Sequence, residues 1–372
     1  MKYLTVKSSV FIFCNKKNVL FYDTANLSQY LSDCTDEIYC IVDKLLCVEN
    51  MYSISLDISL LDHTFNWINN LVDNGYAYFH EDCRCLSLPP NLLISSECDQ
   101  KTYDYLHRVV VNWGGNDFNE YYKQFYYPVF VNKKDRKESD IIDFLNSISI
   151  YIDEIVFVSC YEFVDENIID FLNSIEDLKL LVVFPGYSSD IIGRFTNSNI
   201  EFIFIYDTFE EYLKDRVFIR EYKKSKIGLV VKDVMDIELY SKFLDDSVDF
   251  YPFYDGTNKS FFQEFVYMSD LELKNLQITK REIYRNKSIN PLFFGQIYIY
   301  SDGRIVASPN FDVVVTIADS LPDIIERMLH SDYAWKLLRK NKPCSNCLYQ
   351  WLCPPISDYE LQMKHPLCPK YL

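Results

Sequence analysis

Six short apolar runs, separated by segments of helix length, constrain this chain more than any other feature. They are RVVVN at 108–112, EIVFVS at 154–159, LKLLVVF at 178–184, IEFIFIY at 200–206, IGLVVK at 227–232 and VDFYPF at 248–253. A strand that reads as continuously apolar is one covered on both faces, which is the condition of a parallel sheet. Between the runs stand DIIDFLNSISIYI, ENIIDFLNSIEDL, TFEEYLKDRVFIREY and DVMDIELYSKFLDD, with the length and patterning of helices. Such alternation predicts right-handed βαβ units. Six units are two short of a closed eight-stranded barrel. The predicted fold class is therefore α/β, with a partial (β/α)6 TIM-like barrel over 100–290 and an open doubly wound sheet as the alternative. IIDFLNSI occurs at 141–148 and again at 168–175, but its surroundings diverge, so we read shared helix patterning rather than a repeat array.

The first 90 residues follow a different pattern. VFIF (10–13) and VLFY (19–22) flank CNKKN as a hairpin would. Tyr30, Leu31, Ile38, Ile41, Val42, Leu45 and Leu46 recur at helical spacing around Thr35, a candidate N-cap, and MYSISLD (51–57) alternates as a strand. A second helix is predicted over about 61–74, carrying Leu61, Phe65, Ile68, Leu71 and Val72 on one side and stopped by Gly75; YAYF (76–79) follows as a strand. This order predicts a winged helix-turn-helix unit over 1–90, with a linker near 86–100 marked by Pro89-Pro90. The segment HTFNWINNLVDN, where a recognition helix would lie, has no Lys or Arg, and phosphate contacts need such cations. The whole chain has 37 Lys and Arg against 54 Asp and Glu, a formal charge of −17. Nucleic acid and anionic membrane surfaces are thereby disfavoured as partners.

The C-terminal part, 291–372, is a third unit. QIYIYSDGRIVASP (296–309) predicts two strands about a turn, and SLPDIIERMLHSDYAWKLLRKN (320–341) a helix with Pro322 near its first turn. Then come Cys344, Cys347, Cys353 and Cys368, spaced by two, five and fourteen residues. A Cys-x-x-Cys turn aims two sulfurs at one ion, and two further thiolates complete a four-cysteine site for zinc or for an iron–sulfur cluster. The other cysteines, at 14, 34, 40, 47, 83, 85, 98 and 160, have no ligand spacing and read as reduced thiols packed as small hydrophobes. No HExxH or phosphate loop accompanies the five His, and His107 beside Asp104 reads as a turn or cap. The N-terminus MKYLTVKSSVFIFC is too short and polar for a signal segment, and no run approaches the ~18 apolar residues of a membrane span. A cytoplasmic, non-membrane location is expected.

These residues carry a resemblance. DGRIVASPN, a helix, and CSNCLYQWLCPP followed by SDYE and LCP resemble the C-terminal SPASM domain of radical SAM peptide maturases. KPCSNCLYQWLCPPISDYE is more closely similar to the pseudo-radical-SAM proteins of the GG-Bacteroidales peptide-modification system. The N-terminal unit resembles the leader-recognition domains of ribosomally made, modified peptides (RiPPs). In those, the peptide adds as a strand beside the third strand and packs on the following helix. That implies peptide contacts at Tyr52, Ile54, Leu56, Phe65 and Ile68.

The departures from the family shape what the resemblance implies. Full SPASM domains hold two auxiliary clusters, and the set for the second matches Cys344, Cys347, Cys353 and Cys368. The set for the first does not survive, since Ala307-Ser308-Pro309 and Ser357 stand where cysteines are expected. CxxxCxxC, the ligand motif of the radical SAM cluster, occurs nowhere. Its loop is NWGGNDFNEYYKQFYY (112–127), and the segment expected to carry glycine is SCYEF (159–163). The resemblance thus implies a non-catalytic accessory protein that binds a precursor leader and serves a partner radical SAM maturase. One [4Fe–4S] cluster or zinc is implied, and no S-adenosylmethionine. An iron–sulfur electron-transfer or catalytic subunit is the alternative; a winged-helix regulator with a metal-sensing tail is disfavoured by the missing basic residues.

Overall fold

The computed structural model describes residues 2–56, 64–81, 87, 89–90, 106–113, 137–159, 161, 164–219, 225–241, 248–311, 315–330 and 334–368. The N-terminal unit is built on two three-stranded antiparallel sheets. In one, β1 (Lys2–Val6) lies between β5 (Ser53–Leu56) and β6 (Ala77–His80); in the other, β3 (Asn18–Asp23) lies between β2 (Val10–Cys14) and β4 (Ser28–Asp33). Tyr30 and Leu31, predicted within a helix, belong to β4, because residues 28–33 pair in register with β3. The helix starts later, at Asp36–Leu46, where the Thr35 side chain accepts from the Ile38 amide and Asp36 and Glu37 occupy the first turn. The next described helix, Thr64–Asp73, ends at Gly75, whose φ of 76° is open to glycine without strain. Most of the predicted linker at 86–100 lies outside the described residues.

Period-two alternation gives β2 and β3 two buried faces. Val10, Ile12, Val19 and Phe21 join the unit's own core with Leu4, Val6, Ile41, Leu45 and Ile68. Phe11, Leu20 and Tyr22 face the other way, into a second cluster with Leu273, Ile283, Leu348, Tyr349 and Leu352. The Tyr22 hydroxyl donates to the Ile278 carbonyl at 2.9 Å. The N-terminal unit is therefore seated on the C-terminal part of the chain.

The large sheet has the order β12-β11-β10-β9-β8-β7-β13-β14-β15. Its parallel strands are β7 (Arg108–Asn112), β8 (Glu154–Val158), β9 (Lys179–Pro185), β10 (Ile200–Tyr206), β11 (Ser225–Val231), β12 (Val248–Pro252) and β13 (Gln296–Tyr300). The predicted runs fall on β7 to β12 with ends shifted by a residue or two. Residues 296–309 form an antiparallel pair as predicted, β13 with β14 (Arg304–Val306), and β15 (Val315–Thr316) adds to it. The predicted helix at 320–341 is shorter, Leu321–Met328, with a separate 3-10 turn at Ala334–Lys336.

Alternate strand residues divide the sheet into two clusters. Val109, Val111, Ile155, Phe157, Leu180 and Val182 pack against helical Ile141, Leu145, Ile168 and Leu172. Val110, Val156, Val158, Leu181, Val183, Ile205, Val230 and Tyr298 form the other cluster, which no helical residue joins among the described residues. The chain is thus of the α/β class, with β7 to β12 in chain order in one large parallel sheet whose helical partners, among the described residues, lie on one face. Gly228 belongs to the helix-free face, where a Cβ would stand 2.4 Å from the Tyr251 ring. Among the described residues no helix is long and apolar enough to cross a membrane.

Candidate functional site

The tail folds around its cysteines through short local turns. Cys344 and Cys347 close one 3-10 turn, the Cys347 amide donating to the Cys344 carbonyl at 2.9 Å. A second turn brings the Cys353 amide to the Tyr349 carbonyl at 2.8 Å. Its apolar residues Leu348, Tyr349 and Leu352 are buried under the N-terminal unit, which fixes the turn from outside. Pro354-Pro355 ends it, and the helix Asp358–Met363 follows, opened by a reciprocal capping box between Ser357 and Glu360. Lys364, at φ 52°, turns the chain back toward Cys368.

The four cysteines named from spacing all line one cavity of about 560 Å³, together with Tyr267, Arg339 and Glu360. Among the described residues no three His, Cys, Asp or Glu side chains converge closely enough to hold a single ion. Zinc, at ~2.3 Å from each sulfur, draws four thiolates to within about 3.8 Å of one another. A four-cysteine iron–sulfur cluster takes the same thiolates as terminal ligands on its irons. The soft donor set is suited to either metal, and Cys344, Cys347, Cys353 and Cys368 are the residues that would hold it.

A buried ion pair braces the segments that carry these cysteines. Arg339 donates to the two Glu360 carboxylate oxygens at 3.0 and 2.9 Å, and to the Pro354 and Pro355 carbonyls at 2.7 and 3.3 Å. Its Nη1 also stands 3.6 Å from Cys344 Sγ. Glu360 accepts in turn from the Leu367 amide at 2.9 Å and the Ser357 amide at 3.1 Å. The two side chains are 11% and 6% exposed. The pair thus ties together the start of the CxxC turn, the residues after Cys353 and the residue before Cys368. Burial pushes the Cys353 thiol up to about 12; Arg339 pulls against that, and the neighbouring cysteines add to it. Burial opposes charge on Arg339 as well, but Glu360 holds the guanidinium above its ordinary value. Sequence reasoning missed this pair. Ser357-x-x-Glu360 has legible capping-box spacing, whereas nothing in LLRKN distinguishes Arg339 from its neighbours.

The positions where the resemblance expects the first cluster also come together. Ser308 Oγ and Asn310 Nδ2 donate to Asp358 Oδ1 at 2.9 and 2.7 Å, next to Ser357. Asp358 lines a separate cavity of about 290 Å³ with Arg108, Tyr298 and Asn310. Burial pushes its carboxyl up despite both donors. A polar network occupies this place, with no thiolate in it.

The proposed peptide contacts need correction in kind. Tyr52, Ile54, Leu56 and Ile68 have buried side chains in the core of the N-terminal unit, and Phe65 is half-buried. A neighbouring strand would therefore meet the β5 backbone rather than those side chains. The Val6 amide donates to the Tyr52 carbonyl, so residues 52, 54 and 56 face β1. The main-chain groups of Ser53 and Ser55 consequently point to the outer edge of β5, on the side where the Met51 carbonyl accepts from the Ser87 amide. Most of the loop at 112–127, together with Cys160, Glu162, Phe163 and Asp104, lies outside the described residues; His107 is exposed.

No family model matches the chain, and no curated protein does. Solved structures of SuiB from Streptococcus suis are similar over its length. The form bound to S-adenosylmethionine has 11% identity and a TM-score of 0.38, SuiB itself 10% and 0.39, and the form bound to the precursor peptide SuiA 10% and 0.38. Each match covers 98% of this chain and 98% of the other. At these values the likeness transfers neither residue roles nor an activity.

Proposed function

We propose that this chain is a non-catalytic accessory protein of ribosomal peptide maturation, a pseudo-radical-SAM protein of the GG-Bacteroidales kind. It binds a precursor leader along the outer edge of β5 and presents it to a partner radical SAM maturase. Its partial (β/α)6 barrel is a scaffold, and its SPASM-like tail holds one metal centre as a structural staple that also seats the N-terminal unit. The observation that carries this reading is the edge position of β5 among the described residues, where the exposed Ser55 turns its main-chain groups outward beside the buried Ser53. It is supported by the sequence, which offers no CxxxCxxC to reduce S-adenosylmethionine.

Proline at an outward-facing edge position removes one donor and spares the native ladder. Ser55→Pro is therefore expected to abolish binding of a labelled leader from a precursor encoded beside this chain, with folding and metal content retained. Unchanged affinity in that variant would remove β5 from the proposal. Iron, sulfide and zinc analysis of anaerobically purified protein identifies the metal, and Cys344→Ala with Cys347→Ala is expected to abolish its retention. A second reading, an iron–sulfur electron-transfer subunit, is favoured by the four cysteines lining one cavity. A reversible redox signal, with electrons passed to the maturase, would select it.

A further inference from the structure

Two cysteines without ligand spacing meet in the N-terminal unit. Cys14 ends β2 and Cys34 follows β4, and their sulfurs lie 3.7 Å apart in hydrogen-bonding contact. Both are held by backbone structure. Cys14 pairs with Val19 in the β2–β3 ladder, and the Cys34 amide donates to the Lys17 carbonyl at 2.8 Å. A disulfide needs ~2.05 Å between sulfurs, an approach of about 1.7 Å. Chain neighbours place the pair at a joint: Asn15, next to Cys14, donates from its side chain to the Asn346 carbonyl inside the CxxC turn at 3.4 Å.

We propose that Cys14 and Cys34 are a redox-active dithiol, closed to a disulfide by exchange with a low-molecular-weight disulfide. The Cys34 thiolate attacks one sulfur of that disulfide; the S–S bond breaks and one small thiol leaves with its electron pair. Cys14 then gives its proton to solvent and attacks Cys34 Sγ, breaking the mixed disulfide and releasing the second small thiol. Two protein thiols are oxidised and one small disulfide is reduced to two thiols, so electrons and protons balance. Burial and the neighbouring sulfur push the Cys14 thiol up to about 12, which leaves the first attack to Cys34; in the second, the closeness of the two sulfurs compensates for the small thiolate fraction of Cys14. Closure joins Cys14 to the end of β4 and pins the turn at 15–18, through which the N-terminal unit touches the cysteine-rich tail.

The test uses the full chain, purified anaerobically and incubated with oxidised glutathione, with free thiols blocked before non-reducing peptide mapping. The expected product is a peptide pair linked through Cys14 and Cys34, formed before any link among the tail cysteines and reversed by excess reduced glutathione. Cys14→Ser is expected to stop the reaction at a glutathione adduct on Cys34, and Cys34→Ser to leave Cys14 unmodified while exposed Cys40 and Cys47 react. A lasting Cys34 adduct with Cys14 free in the unsubstituted chain, or Cys14 linked to a tail cysteine, would overturn the proposal. So would no linkage where Cys40 and Cys47 are fully modified. The readout requires neither leader peptide nor maturase, so it stands or falls apart from the function proposed above.

Discussion

Arg339→Met keeps most of the aliphatic stem of Arg339 and removes the charge that Glu360 faces. Removing one partner of a buried ion pair typically costs about 3–5 kcal/mol, because the other charge is left uncompensated. Glu360 would keep its bonds from the Ser357 and Leu367 amides, which places the expected loss at the lower end, about 3 kcal/mol. If that loss falls wholly on metal retention, it corresponds to on the order of a hundredfold weaker holding of the ion. Glu360→Gln strands the guanidinium on the Pro354 and Pro355 carbonyls and is expected to cost as much. The double variant Arg339→Met with Glu360→Gln should cost clearly less than the sum, since no buried charge remains unpaired. Trp351, packed beside Leu352 and Cys353, is a local fluorophore for urea unfolding, read in parallel with chelator-driven metal loss. Single variants within about 0.5 kcal/mol of the unsubstituted chain, or strictly additive losses, would refute the view that this pair braces the cysteine-bearing segments.

Three further outcomes follow from the packing. The Asp358 carboxyl is raised by burial, so the folded state holds its proton more tightly than the unfolded chain. Its contribution to stability is present in acid and lost as pH rises through the raised value. Asp358→Asn should therefore flatten the fall in urea midpoint that sets in as pH rises above about 4. Gly228→Ala should cost about 1–3 kcal/mol, because its Cβ would lie 2.4 Å from the Tyr251 ring, and Tyr251→Leu should recover much of the loss in thermal unfolding. Tyr22→Phe removes a donor to the Ile278 carbonyl and should cost about 1 kcal/mol, with faster hydrogen exchange in β2 and β3 as the check.

Sequence pattern reveals what local rules govern and misses what depends on distant segments. The strand runs from 108 to 253 are legible because burial on both sheet faces leaves a continuous apolar signature that turns and helices interrupt. Thr35 and Gly75 are legible because capping and left-handed backbone are chemistry of a few adjacent residues. Tyr30 and Leu31 defeat the same rules: helical spacing continues across them, yet pairing with β3 decides their state. The four tail cysteines reveal a shared cavity through spacing alone, but Arg339 and Glu360, twenty-one residues apart, have no periodic signal. Cys14 and Cys34 likewise meet only because three strands fold back upon one another. The largest omission has the same cause. Phe11, Leu20 and Tyr22 read as one face of a self-contained unit, whereas their partners Leu348, Tyr349 and Leu352 lie more than three hundred residues away. Those partners occupy the turns between Cys347 and Cys353, so the same residues that space these cysteines also form the seat of the N-terminal unit. Deleting residues 1–90 would strip a buried face from the cysteine-rich tail, and loss of peptide binding in such a truncation would not isolate β5. A single proline at Ser55 leaves that shared core intact, and for that reason it is the sharper test.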